Sequence, residues 1–125
     1  MSRLLTTDQI DQFKADGVVR INGKFDEEWI KKLKEGISKD FQNPSPRFVR
    51  HTKDDDSPGY FEDFWTWDLF DEFKDFVYHS PTGQIASELM DASKVNLVMD
   101  NWFLREAGSK SVSYTHLTLP TILLV

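Results

Sequence analysis

The chain has no cysteine among its 125 residues. That absence excludes a disulfide framework, a thiolate zinc site and a cysteine nucleophile. No run approaches the roughly eighteen apolar residues of a membrane span. The start, Met1-Ser2-Arg3-Leu4-Leu5-Thr6-Thr7-Asp8, lacks the apolar core of a secretory signal, which makes the cytoplasm the expected address. No cluster of Lys or Arg occurs and the net charge is −6, so nucleic acid is a poor partner. No internal repeat is visible, and the length allows one domain at most. What the chain does have is aromatic bulk, at 14% of residues with ten Phe and four Trp. So large an apolar content in a short soluble chain suggests surfaces meant to be covered by more protein.

Local signals predict the first elements. Thr6 and Gln9 stand at capping-box spacing, with Leu5 and Ile10 as a hydrophobic staple. Ile10 and Phe13 share a face, and Gly17 is placed to end the helix in a left-handed conformation. Val18 to Ile21 reads as a short strand before the Asn22-Gly23 turn. A second helix is predicted from Asp26, as N-cap, to about Phe41, with Glu27 and Glu28 complementing its dipole. Trp29, Leu33, Ile37 and Phe41 recur every four residues on one face, and Asn43-Pro44-Ser45-Pro46 stops it.

Residues 47 to 62 read as an irregular loop, with Asp54-Asp55-Asp56 a solvated turn rather than a cation site, since hard-cation loops need spaced oxygens and a turn glycine. An aromatic cluster follows: Tyr60, Phe61, Phe64, Trp65, Trp67. A helix is predicted from Leu69 to Tyr78 with Phe73, Phe76 and Val77 inward. Another opens at Ser80-Pro81 and ends near Ala92, with Ile85, Leu89 and Met90 as its buried face. Lys94 to Glu106 is so dense in β-formers that it reads as a strand covered on both faces. Asp100 and Asn101 interrupt that run and need partners or a cavity. His51 reads as a loop residue and His79 as a helix-start residue.

Composition breaks at Lys110. All 36 charged residues lie within positions 1–110, and residues 111–125 carry none. Val112-Ser113-Tyr114-Thr115-His116-Leu117-Thr118-Leu119-Pro120-Thr121 resembles the in-frame translation of a transposase-type sequencing adapter. Residues 111–125 are therefore expected to be a non-native tail, set aside from fold reasoning.

Within residues 1–110 several ordered blocks carry a family resemblance. They are Leu5-Thr6-Thr7-Asp8-Gln9-Ile10-Asp11-Gln12-Phe13 through Gly17-Val18-Val19, Phe25-Asp26-Glu27-Glu28-Trp29-Ile30, Asp63-Phe64-Trp65-Thr66-Trp67, Phe76-Val77-Tyr78-His79-Ser80-Pro81, and Asp100-Asn101-Trp102-Phe103-Leu104-Arg105-Glu106-Ala107-Gly108. Together they resemble the N-terminal part of the phytanoyl-CoA dioxygenase family, oxygenases dependent on iron(II) and 2-oxoglutarate. The resemblance implies an α+β chain: the helix-rich N-terminal part of a double-stranded β-helix (jelly-roll) oxygenase, with most of the jelly roll missing. It implies that the complete enzyme hydroxylates an aliphatic C–H bond of a small organic or acyl substrate. It also implies that the face of Asn101, Phe103 and Arg105, which alternate on one strand, lies near the cosubstrate, with satisfied polar groups in a sheet as the plainer role. Asp63, Trp65 and Trp67 are the candidates for the substrate mouth, with packing as the plainer role for the two tryptophans.

The chain departs from the family at the metal. Such enzymes hold iron with two His and one carboxylate, the first two as His-x-Asp expected soon after Gly108. His51, His79 and His116 are each followed by residues that break that motif. No metal ligand and no catalytic residue is therefore assigned, and the 125-residue chain is expected to be inactive and to bind neither iron nor 2-oxoglutarate itself. Two readings of another class stand beside this one: a small non-catalytic helical interaction domain, and a metal-less family relative acting as a binder.

Overall fold

The computed structural model describes residues 2–53 and 58–109. Among these the chain is α+β, with four helices and one three-stranded antiparallel sheet. The adapter-like run, His116 and the aspartates at 54–56 lie outside the described residues.

Helix α1 runs Thr7–Asp16 and starts as its sequence predicts. The Thr6 hydroxyl accepts from Gln9 N–H at 3.2 Å and the Gln9 side chain accepts from Thr6 N–H at 2.9 Å, which satisfies two end donors at once. Gly17 ends it at φ 73°, a left-handed cap that a β-carbon would oppose. Helix α2, Glu27–Gln42, is capped by the Asp26 carboxylate, which accepts from Trp29 N–H at 3.0 Å. The predicted stripe of Trp29, Leu33 and Ile37 is only half-buried. The residues of α2 closed to solvent are Gly36 and Asp40. Gly36 is where α3 comes closest, because the Phe73 ring occupies the space a β-carbon would need.

Helices α3, Asp71–His79, and α4, Thr82–Met90, follow. Ser80 and Pro81 precede α4 rather than open it, and Ser80 Oγ accepts from Thr82 N–H at 3.3 Å. The expected buried face of α4 is not closed: Ile85 and Leu89 are half-buried and Met90 is exposed. Among the described elements helix α4 packs on α1 and α3. Glu88 ties α4 to the N-terminus by accepting from the N–H groups of Leu4, at 2.9 Å, and Leu5, at 2.8 Å.

The sheet corrects four expectations. The stretch read as irregular contains strands β1, Val49–Arg50, and β2, Tyr60–Phe64. Their pairing, Arg50 with Phe61 and Val49 with Glu62, depends on contacts across the sheet that no local signal reports. The long strand expected over 94–106 is only β3, Asn101–Arg105. It pairs with all five residues of β2, from Tyr60↔Arg105 to Phe64↔Asn101. Past Phe64 the chain turns away at Trp65, φ 53°, and residues 95–99 meet no partner strand among the described residues. Among the described residues the predicted double cover is not formed: Leu97, Val98, Met99, Phe103 and Leu104 are exposed. Val18–Ile21, also predicted as a strand, pairs with no strand among the described residues.

The inner sheet face packs under the end of α2 through rings rather than backbone. Phe41 lies 4.8 Å from Phe61 and 5.6 Å from Trp102, with Phe48 beside them. The apolar core is small: Leu5, Ile10, Tyr60 and Phe73 are its buried members. Buried polar residues are numerous beside it, namely Asp40, Ser45, Glu62, Asp63, Thr66 and Ser109. No described helix is long and apolar enough to cross a membrane.

Candidate functional site

Strand alternation sends Tyr60 and Glu62 of β2, and Asn101, Phe103 and Arg105 of β3, to the outer face of the sheet. The three cofactor candidates therefore do share a face. Glu62 organises it. One carboxylate oxygen lies 2.7 Å from His51 Nε2 and the other accepts from Asn101 Nδ2 at 3.1 Å. The His51 ring packs on Tyr60 at 4.8 Å, and Tyr60 lies 6.4 Å from Phe103. The Arg105 guanidinium sits 5.9 Å over the Tyr60 ring and donates to the Ser109 carbonyl at 2.9 Å. Burial, reinforced by the Glu62 charge, pushes the Tyr60 phenol above its ordinary value, while Arg105 opposes the shift.

The three substrate candidates do not share a surface. Asp63 turns to the inner face and is fully buried, with its Oδ1 accepting from Ser45 Oγ at 2.7 Å and from Phe64 N–H at 2.8 Å. No oxygen of Asp63 is open to a small molecule there. Trp65 is half-exposed and strained, a non-glycine residue in left-handed backbone. Its N–H donates to the Asp100 carbonyl at 3.1 Å, and its own carbonyl accepts from Arg47 at 2.8 Å. Trp67 lines a largely apolar groove of about 800 Å³ between α3, α4 and residues 95–101, where Phe76, Met90, Leu97 and Met99 also contribute.

Asn101 belongs to both places, binding Glu62 on the sheet face and lining the groove. Asp100, beside it, accepts from the Thr66 hydroxyl at 2.7 Å and from Thr66 N–H at 3.0 Å, which pins the Trp65–Thr66 corner against the start of β3. The polar interruption visible in the sequence thus finds partners for both its residues.

Sequence reasoning missed His51, Glu62 and Asp40. His51 and Glu62 meet across the hairpin, and a two-residue β1 is too short to announce itself by alternation. Asp40 reads as an ordinary polar helix residue, yet it is sealed. His79 is exposed and bonds Asp75 within its own helix at 2.7 Å. Among the described residues no three His, Asp or Glu side chains converge as a metal-binding group. The described donor set therefore does not fit a facial triad, and ligands for iron would have to come from outside it.

Compared with protein-family models, with curated proteins and with solved structures, the chain matches none.

Proposed function

We propose that residues 1–110 form the N-terminal part of an iron(II)/2-oxoglutarate-dependent dioxygenase resembling phytanoyl-CoA dioxygenase. Beside the ordered sequence blocks, one observation carries the reading. Asn101, Phe103 and Arg105 present polar, aromatic and cationic groups on one open sheet face, and Asn101 also borders an apolar groove. A dicarboxylate cosubstrate needs a cation and hydrogen-bond donors, and a hydrocarbon substrate needs apolar walls beside them. Arg105 and Asn101 supply the first, and Trp67 with its neighbours supplies the second. Asp63 in this reading holds the sheet to α2, and Trp65 shapes the corner next to the groove.

The jelly roll belongs to the same proposal: β1–β3 would be its first described strands, and the uncovered segment 95–99 would meet the remainder. No catalytic step is assigned to these residues. The complete enzyme's substrate is a small organic or acyl molecule in this reading, with iron(II) and 2-oxoglutarate supplying the oxidising chemistry. The exposed apolar groove also favours the second reading, a non-catalytic interaction domain.

The test recovers the reading frame beyond Lys110 from the source DNA and expresses the extended protein with iron(II). We expect a His-x-Asp soon after Gly108 and turnover of 2-oxoglutarate that the 125-residue chain lacks. Asn101→Ala should raise the KM for 2-oxoglutarate more than it lowers the melting temperature. An extended frame without that motif, or an extended protein indifferent to iron, refutes the oxygenase and leaves the interaction domain.

A further inference from the structure

Asp40, in the last turn of α2, and Asp63, in β2, face each other from opposite layers, and both are fully closed to solvent. Each carboxyl group has one oxygen well satisfied. Asp40 Oδ2 accepts from Trp102 Nε1 at 2.9 Å, and Asp63 Oδ1 accepts from Ser45 Oγ and Phe64 N–H. Each also has one buried oxygen with no donor: Asp40 Oδ1 and Asp63 Oδ2. Trp102, whose indole donates to Asp40, is the cross-strand partner of Asp63, which brings the two carboxyl groups together at one ring, where a hydrogen bond between them can form. Two ionised carboxylates have acceptors only and repel at contact, so such a bond needs a proton on one of them.

The surrounding charges do not relieve the pair. Lys39 of α2 reaches across to Glu72 of α3, and Arg47 of the α2–β1 loop donates to the carbonyls of Phe64 and Trp65. Glu62 of β2 lies on the opposite sheet face with His51 and Asn101. Facing the pair are the Trp102 indole from β3 and Ser45 from the loop. The negative end of the α2 dipole disfavours a second charge further.

We propose that Asp40 and Asp63 share a single proton between Asp40 Oδ1 and Asp63 Oδ2, and that this proton latches the end of α2 onto the sheet, holding in acid and releasing as pH rises. Burial, the chief cause, together with the neighbouring Asp63 raises Asp40 to about 6, against the opposing hydrogen bonds from the Trp102 indole and the Ser45 backbone. A raised carboxyl means that the folded chain binds more protons than the unfolded one between 3.8 and about 6. The latch's contribution is therefore complete below that window and is lost as pH rises through it. The span corresponds to about a hundredfold in the folding equilibrium.

Asparagine substitutions on the 125-residue chain test this by urea unfolding across the same window and up to mildly alkaline pH. In Asp40→Asn the amide NH2 can donate permanently to Asp63 Oδ2 while its carbonyl still accepts from Trp102. In Asp63→Asn the amide donates to Asp40 Oδ1 while its carbonyl keeps Ser45 and Phe64. Each single variant should lose the hundredfold pH dependence, read as the difference from the parent chain, and should exceed the parent's stability at alkaline pH. The double variant sets two NH2 groups face to face and should fall below either single one. The proposal is overturned if both single variants weaken the alkaline protein and keep its pH dependence, or if the double variant is simply additive. It is equally overturned if magnesium or calcium stabilises the alkaline parent but neither single variant, since a cation would then be what joins the two carboxylates.

Discussion

Gly36→Ala sets two known effects against each other at the tightest contact between α2 and α3. Alanine in a helix interior gains up to about 1 kcal/mol over glycine. At position 36 the added β-carbon would lie 2.6 Å from Phe73 Cε1 and 3.0 Å from Cδ1 and Cζ. The obstacle is a rigid ring, buried to 6% exposure and packed edge-on against Phe70 at 5.7 Å, so it cannot swing away freely. Overpacking a filled site costs about 1–3 kcal/mol. The clash should therefore win, leaving Gly36→Ala less stable by up to about 2 kcal/mol, read by urea unfolding and thermal melting. Gly83 in α4 is the control, because a β-carbon there meets nothing within 4 Å. Gly83→Ala should stabilise by a few tenths to about 1 kcal/mol. Trimming the obstacle with Phe73→Leu should recover part of the Gly36→Ala loss, a coupling of about 1 kcal/mol in a double-mutant cycle. A Gly36→Ala variant stabilised as much as Gly83→Ala, or a cycle without coupling, would refute the clash with Phe73.

Two other sites give outcomes of different kinds. Glu88 is held below its ordinary value by the N–H groups of Leu4 and Leu5 and by Gln84. Its contribution is present above the ordinary carboxylate range and is lost as pH falls through the lowered value, opposite in sign to Asp40. Glu88→Gln should flatten the acid side of the stability profile and speed hydrogen exchange at Leu4 and Leu5; unchanged exchange there would refute the tether. Thr66 is fully buried and its hydroxyl donates to Asp100 at 2.7 Å. Thr66→Val should cost about 2 kcal/mol in urea unfolding, as for a bond to a charged acceptor, whereas Thr66→Ser should keep most of it. A valine variant as stable as the parent would remove the role given to that corner.

The sequence by itself determined what short-range chemistry governs. The capping box at Thr6 and Gln9, the left-handed Gly17, the Asp26 cap and the polar interruption at Asp100-Asn101 are each written in neighbouring residues, and each has its expected form or finds partners. The alternation of Asn101, Phe103 and Arg105 onto one face follows likewise from strand geometry. Tertiary structure decided the pairings between distant residues. The hairpin of β1 and β2, the meeting of His51 with Glu62, and the burial of Asp40 against Asp63 and Trp102 join positions whose own neighbours carry no sign of the partner. Asp40 shows the limit clearly. In sequence it is one more acid on a charged helix, and it is buried only because the rings of Phe41, Phe61 and Trp102 close the end of α2 over the sheet. A strand's extent is set the same way: β3 stops at Asn101 because its partner strand turns off at Trp65, although the β-forming residues run on to Val95. Backbone hydrogen bonds need a partner in space, and propensity along the chain cannot provide one.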